Sequence, residues 1–260
     1  MCQHGVATRH YAFLSPPLKD SDFFSMSPQG FPSSGLAQGG REDFNATGTL
    51  PADAAPATPI AKKAFELASS TLHPSILNHS IRVYQYAEEL AQRSDSIFLQ
   101  SQGKHDLLFA ACILHDIGTV SQYDGPQRFE VEGADAAVAL LREFGASDED
   151  AHEVWVAIAL HTSPGIAERI TPLAKLVREA VLMDFGRINE FFPGEPDEVT
   201  RLRATFESIW ERRDIEQVLG DSVVHQAIRR PGKAPAASWP NNLYRAHLAD
   251  PEWKGVNKGF

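Results

Sequence analysis

The sequence predicts an all-α protein, and three observations carry that prediction. Apolar residues recur at helical spacing in successive segments after residue 57, and Pro, Gly and small hydroxyl residues punctuate those segments. Clean two-residue alternation is absent. Residues 1 to about 57 stand apart, because SPPLKDSDFFSMSPQGFPSSGLAQGG and LPADAAPATP are rich in Ser, Pro, Gly and Ala without a period. They read as a mostly disordered leader. Its aromatic residues Tyr11, Phe13, Phe23, Phe24 and Phe31 could dock on the domain, while His4 and His10 read as solvent-exposed.

Thr58-Pro59 supplies an N-cap and a first-turn proline for a helix through about Ser70. His73-Pro74-Ser75 starts a second helix, with Ile76, His79, Val83, Tyr86, Ala87 and Leu90 on one face. A third spans roughly Lys104 to Gly118 on Leu107, Leu108, Ala111, Ile113 and Leu114. A fourth runs from about Glu130 to Phe144 and stops at Gly145. Ser147 caps a fifth, on which Val154, Trp155, Ile158 and His161 share a face before Ser163-Pro164-Gly165 ends it. The sixth opens near Thr171-Pro172 and carries Leu173, Val177, Ala180, Val181 and Asp184. The seventh, about Glu198 to Leu219, is amphipathic, and its Leu202, Phe206, Ile209 and Val218 would suit a homodimer seam. From Pro231 onward the chain is too rich in Pro, Gly and Asn for long helices, yet Trp239, Leu243, Tyr244 and Trp253 argue that it packs on the bundle. The expected organisation is a leader (1–57), a helical domain (58–225) and an irregular tail (226–260).

Composition narrows the function classes. Hydrophobic residues at 43% and charged residues at 22% are ordinary globular values, and 260 residues suffice to bury a sizeable core. A formal net charge of −10 argues against nucleic acid, which needs a basic surface. The basic strip Arg201, Arg203, Arg212, Arg213, Arg229, Arg230 and Lys233 is interleaved with Glu207, Glu211, Asp214 and Glu216, and reads as a salt-bridged helix face. Two cysteines, Cys2 and Cys112, make neither a disulfide framework nor a thiolate zinc site, and free thiols suit a reducing compartment. With no long apolar run and no secretory layout, the expectation is a cytoplasmic protein off the membrane, acting on a small molecule.

Polar residues on apolar faces carry the functional signal. His79 lies between Ile76 and Val83, His115 and Asp116 end the third helix, His161 ends the fifth, and Asp184 continues an apolar stripe. One inward His or Asp is ordinarily a hydrogen-bonded core residue or a cap. Five at the ends of four successive helices point to a metal, which relieves several buried polar groups together.

The order His79, then His115-Asp116, then Asp184 resembles the H…HD…D signature of the HD-domain superfamily. The matching context is NHSIRVYQYAEEL, LLFAACILHDIGTV, RFEVEGADAA, AIALHTSPG and VLMDFGR. The likeness is nearest to the cyanamide hydratase-like (urea hydro-lyase) branch and covers about residues 60–190. It implies an HD-domain helical bundle in which His79, His115, Asp116 and Asp184 ligate one divalent metal. Zinc is the expected ion, and Fe(II), Mn(II) and Ni(II) also suit two nitrogens and two oxygens. Superfamily members that hold two metals supply extra histidines between the HD pair and the last Asp. Here His152 precedes His161 by nine residues on the same predicted helix, about 13 Å at 1.5 Å per residue, so the two do not converge. A mononuclear site follows, with His161 left for acid–base work.

The implied reaction is hydration of a nitrile-like molecule, cyanamide to urea, by a metal-bound hydroxide. The expected catalytic residues are His161, Asp116 and Glu130, with Phe109, Ile117, Phe129 and Trp155 as pocket walls. Asn78, Thr119 and Glu130 are polar residues that either orient substrate or cap helices. A substrate so small calls for a pocket of a few water volumes. The alternative, an HD-type phosphohydrolase acting on nucleotides, calls for a long cleft and converging cations such as Arg128 and Arg187, with Arg82 expected to point to a neighbouring face. A third reading is a non-catalytic metabolite-binding protein.

Overall fold

Every regular element among the described residues is helical, and helix ends rather than strands carry the polar signal. The computed structural model describes residues 56–187 and 196–260, side chains of 196 and 197 excepted. The expectations for Cys2, His4, His10, the leader aromatics and the leader itself up to residue 55 therefore lie outside the described residues.

Helix α1 (Pro59–Thr71) begins as its sequence dictates, with the Thr58 hydroxyl accepting from the Ala61 amide at 3.2 Å. The same hydroxyl donates to Asp106 Oδ1 at 2.8 Å, tying the cap to α3 (Gln102–Leu114). Helix α2 (Pro74–Arg93) buries the predicted face and packs against α3 and α7 (Pro172–Asp184). Helix α4 (Phe129–Glu143) pairs with α5 (Asp148–Leu160), and Gly145 takes the left-handed φ of +77° that a C′ residue needs. A single turn, α6 (Ala167–Ile170), leads into α7, whose Thr171 cap and Pro172 were legible in the sequence.

Two predicted elements differ from the structure. The single seventh helix is two helices, α8 (Pro196–Ile209) and α9 (Ile215–Arg229), separated where Arg213 and Asp214 both adopt positive φ. The break exposes carbonyls that an unbroken helix would use. Those of Trp210 and Glu211 accept from Arg82 at 2.8 and 3.3 Å, and that of Arg213 accepts from Ser75 at 2.6 Å. Of the residues proposed for a dimer seam, Leu202, Phe206 and Val218 pack in part on the protein's own core, Phe206 meeting Tyr86 edge-on at 5.0 Å, while Ile209 is exposed.

The tail is also more regular than expected. Helix α10 (Trp239–Ala249) starts at Ser238, whose hydroxyl caps the Asn241 amide, with Pro240 in the first turn. It buries Leu243 and packs on α9. The Ser-x-Pro start was the available signal, masked by the Pro and Asn content around it. The basic strip is spent on acids as predicted, Arg203 on Glu207 and Arg229 and Lys233 on Asp124.

One close approach fixes the turn after α3. A Cβ on Gly118 would lie 2.0 Å from the Phe129 carbonyl oxygen and 2.7 Å from the Gly133 amide nitrogen, so backbone meets backbone there. The Gly118 carbonyl also accepts from Gln226 of α9 at 2.9 Å.

Candidate metal centre

Three helix ends and the second turn of α2 deliver the buried polar residues to one place. His115 stands at the C-cap of α3 and His161 at the C-cap of α5, and each ring folds back on its own helix. His115 Nδ1 lies 2.7 Å from the Cys112 carbonyl oxygen, and His161 Nδ1 lies 2.7 Å from that of Ile158. A carbonyl can only accept, so both Nδ1 atoms carry hydrogen, and in the neutral ring Nε2 is the atom with the lone pair. These bonds also satisfy carbonyls that a helix end leaves open, and the negative ends of the helix dipoles favour a cation nearby.

His79 obeys the same logic through a carboxylate. Its Nδ1 donates to Asp184 Oδ2 at 2.7 Å, while Arg82 grips both Asp184 oxygens, from Nε at 2.6 Å and from its terminal nitrogen at 2.8 Å. Burial alone would raise the Asp184 carboxyl, but the bonds from Arg82 and His79 outweigh it and hold the group below the usual carboxylate range. Arg82 therefore does not point away from the site. Residues three apart on a helix are surface neighbours, and all of Arg82 is buried behind His79.

Three Nε2 atoms now converge on Asp116. His79 Nε2 and His115 Nε2 lie 3.1 Å apart, and Asp116 Oδ2 lies 3.7 and 3.2 Å from them. Asp116 Oδ1 faces His161 Nε2 at 3.5 Å. Both Asp116 oxygens are buried without a hydrogen-bond partner. Lone pairs and a carboxylate pressed together demand a positive charge between them. Atoms about 2.1 Å from a shared ion lie roughly 3.0–3.4 Å apart, a range that holds the 3.1 and 3.2 Å spacings about His115, while the 3.7 Å between His79 and Asp116 is a little wider, and the three together could hold one divalent cation. The protonation tendencies express the same demand. Burial dominates at His79 and lowers its imidazole. At His115 burial also lowers, but the Asp116 charge and the bonds to Asp116 and Cys112 outweigh it and leave the ring raised. Burial would raise Asp116, yet His115 and His161 hold its carboxyl well below the ordinary value.

The remaining expected residues fall at different distances. Asp184 stands one step behind the cluster as the orienting partner of His79, and its oxygens already answer two donors. Glu130 is fully buried, with Arg128 donating to both oxygens and Thr162 to Oε1 at 2.6 Å. It anchors the residue next to His161 and does not line the cavity. Asn78 donates to the Glu211 carbonyl and Thr119 to the Asp116 carbonyl, so Asn78 ties α2 to the loop after α8 and Thr119 braces the turn after α3, and neither caps a helix. His152 is exposed and stacked on Trp155, away from the site.

The cavity over the cluster has a volume of about 640 Å³. None of Phe109, Ile117, Phe129 or Trp155 lines it. Phe109 turns into the core against Tyr84, and Phe129 stands behind His161 at 5.8 Å. The apolar walls are Val181, Leu182 and Phe185 at the end of α7, Leu219 of α9, and Trp239 and Phe260 beyond it, while Thr162, Ser163, Arg178, Arg187, Ser238 and Asn242 supply polar lining. Its volume far exceeds a few waters, because α10 and the segment after it roof the site at a distance.

Residues 76–180 match the family model of the HD domain. The match supports the HD-domain superfamily for this segment, a family that generally contains metal-dependent hydrolases, and it does not single out the hydratase branch. The HD-domain segment supplies His79, His115, Asp116 and His161, while Asp184 and most of the cavity wall lie beyond it. The chain is also similar to glutathione synthetase of Bos taurus, 29% identical over 139 residues, which is 50% of this chain. It spans 28% of the length of that relative. No helix among the described residues is long and apolar enough to cross a membrane.

Proposed function

We propose that the protein is a metal-dependent hydro-lyase that adds water across the carbon–nitrogen triple bond of a small nitrile-like molecule, with cyanamide to urea as the type case. One observation carries this reading: an apolar surface of Val181, Leu182, Phe185, Leu219, Trp239 and Phe260 adjoins the His-rich floor, and the two arginines that also line the cavity with Thr162, Ser163, Ser238 and Asn242 have protein acceptors. Arg178 donates to Glu168 and to the His161 carbonyl, and Arg187 to the Phe260 carbonyl. Such a wall suits an uncharged substrate.

A bound divalent ion, zinc by preference, brings the pKa of water toward about 7. His79, His115 and Asp116 would hold it, with Asp184 fixing the tautomer of His79. His161 keeps an unprotonated Nε2 facing Asp116. It can accept a proton there and return it to the substrate nitrogen, which becomes basic as water adds to the carbon. Arg128, Glu130 and Thr162 position His161 through the adjoining backbone. The buried free thiol of Cys112 supports a cytoplasmic setting for this chemistry.

A second reading, phosphohydrolysis of a nucleotide, draws support from the family match and from the 640 Å³ cavity, which could admit a mononucleotide. Metal-loaded protein incubated with cyanamide and with a panel of nucleoside monophosphates separates the two readings. Urea release that disappears in His115→Ala is the expected result, and phosphate release without urea sinks the hydro-lyase reading.

A further inference from the structure

We infer that the substrate carries a flat apolar body behind its reactive head, so that the substrate class is an aryl- or compact alkyl-substituted cyanamide or nitrile. This rests on the hydro-lyase reading and names its substrate. Cyanamide itself would occupy a small part of a 640 Å³ cavity, a size in the range of about 300–1,000 Å³ that small-molecule sites span. Much of the rest would be water held against Val181, Leu182, Phe185, Leu219, Trp239 and Phe260, which is unfavourable.

The cavity has two chemically distinct ends. His79, His115, Asp116 and His161 form the polar end, and Thr162, Ser163, Arg178, Arg187, Ser238 and Asn242 add polar groups elsewhere on the wall. Phe185 then lies against the His79 ring at 4.8 Å, so the apolar end begins directly beside the cluster. Phe185 meets Phe260 edge-on at 5.1 Å, and Phe260 meets Trp239 edge-on at 5.4 Å. Perpendicular rings make a corner that offers both a face and an edge, the two surfaces an incoming aromatic ring prefers. Leu219 closes the corner from α9. For a substituted cyanamide, water's oxygen bonds to the nitrile carbon and its two hydrogens finish on the terminal nitrogen. The product is the N-substituted urea, and no oxidant or second substrate is consumed.

Calorimetry on the zinc-loaded full chain, titrating phenylurea against urea, tests the apolar end without relying on turnover. Phenylurea is expected to bind at least about tenfold tighter than urea, equivalent to about 1.4 kcal/mol. Trp239→Ala should bring that ratio toward one, whereas Trp239→Phe should retain most of it. Leu219→Trp, which fills the corner from the other side, should abolish phenylurea binding, with circular dichroism confirming a folded helical protein in each case. Equal affinities in the wild type, or a ratio untouched by Trp239→Ala, overturn the inference. Parallel assays with cyanamide and phenylcyanamide keep the failures apart. Cyanamide turnover without a phenylurea preference removes the substrate class alone, and a phenylurea preference without any nitrile turnover removes the hydro-lyase reading and the nitrile substrate with it, leaving only an aryl-binding corner.

Discussion

The floor and the roof of the cavity are built on different principles. On the floor, His115 and His161 are aimed by bonds to carbonyls three residues earlier in their own helices, so local geometry sets both ring and tautomer. The roof has no such local rule. Trp239 and Phe260 reach the site through long-range packing of α10 and the segment after it. The difference separates two tasks: short-range bonds fix the chemistry, and distant packing shapes what can approach it.

The strongest way to break this contrast is at the floor. His115→Ala should abolish stoichiometric metal by elemental analysis, a larger loss than the 10–100-fold that an orienting partner costs. Asp184→Asn sharpens the point. As the partner of His79 it should weaken zinc by about 10–100-fold in a chelator competition. Loss equal to that of His115→Ala would show Asp184 to be a direct ligand instead.

Behind the floor, Arg82→Ala leaves the Asp184 carboxylate buried with one neutralising partner fewer. Chemical denaturation should show a loss of about 3–5 kcal/mol. On the roof, Leu243→Ala should cost about 2–5 kcal/mol if α10 belongs to the core, since Leu243 is fully buried. A value below about 1 kcal/mol would mean that the roof is only draped over the bundle.

Acid provides a gentler probe. Asp184 has a folded pKa below its unfolded value, so its contribution is fully present above about pH 4 and is lost as pH falls further. Metal-free wild type should lose thermal stability from about pH 4 downward to about pH 2 more steeply than metal-free Asp184→Asn. The least effect belongs to His152→Ala, expected within about 0.5 kcal/mol and with unchanged metal content, because that ring is exposed.

How much the sequence revealed follows the same division. Thr58, Ser147 and Thr171 cap the helices expected of them, and the polar residues at the ends of α3, α5 and α7 do meet, joined by His79 from the second turn of α2 and not from a helix end. Those signals are local, written within one helical turn. Arg82 was misjudged because its partners, Asp184 and the broken end of α8, lie more than a hundred residues away. The break itself was hidden because Arg213 and Asp214 are not residues that announce a left-handed backbone. The walls were misassigned for a related reason: apolar residues near the motif in sequence, such as Phe109 and Ile117, were needed for the core.

The contact at Gly118 has a consequence for how this scaffold can change. With its Cα pressed against the main chain of α4, the turn that follows His115-Asp116 offers no room for even a methyl group. Any side chain at that point must lever α4 outward, and Glu130 rides on α4, holding Thr162 beside His161. Drift at one hydrogen-sized position would thus reach two of the histidines at once, whereas the aromatic corner overhead can be recut residue by residue. New specificities should arise from the lid downward, never from the hinge of the HD turn.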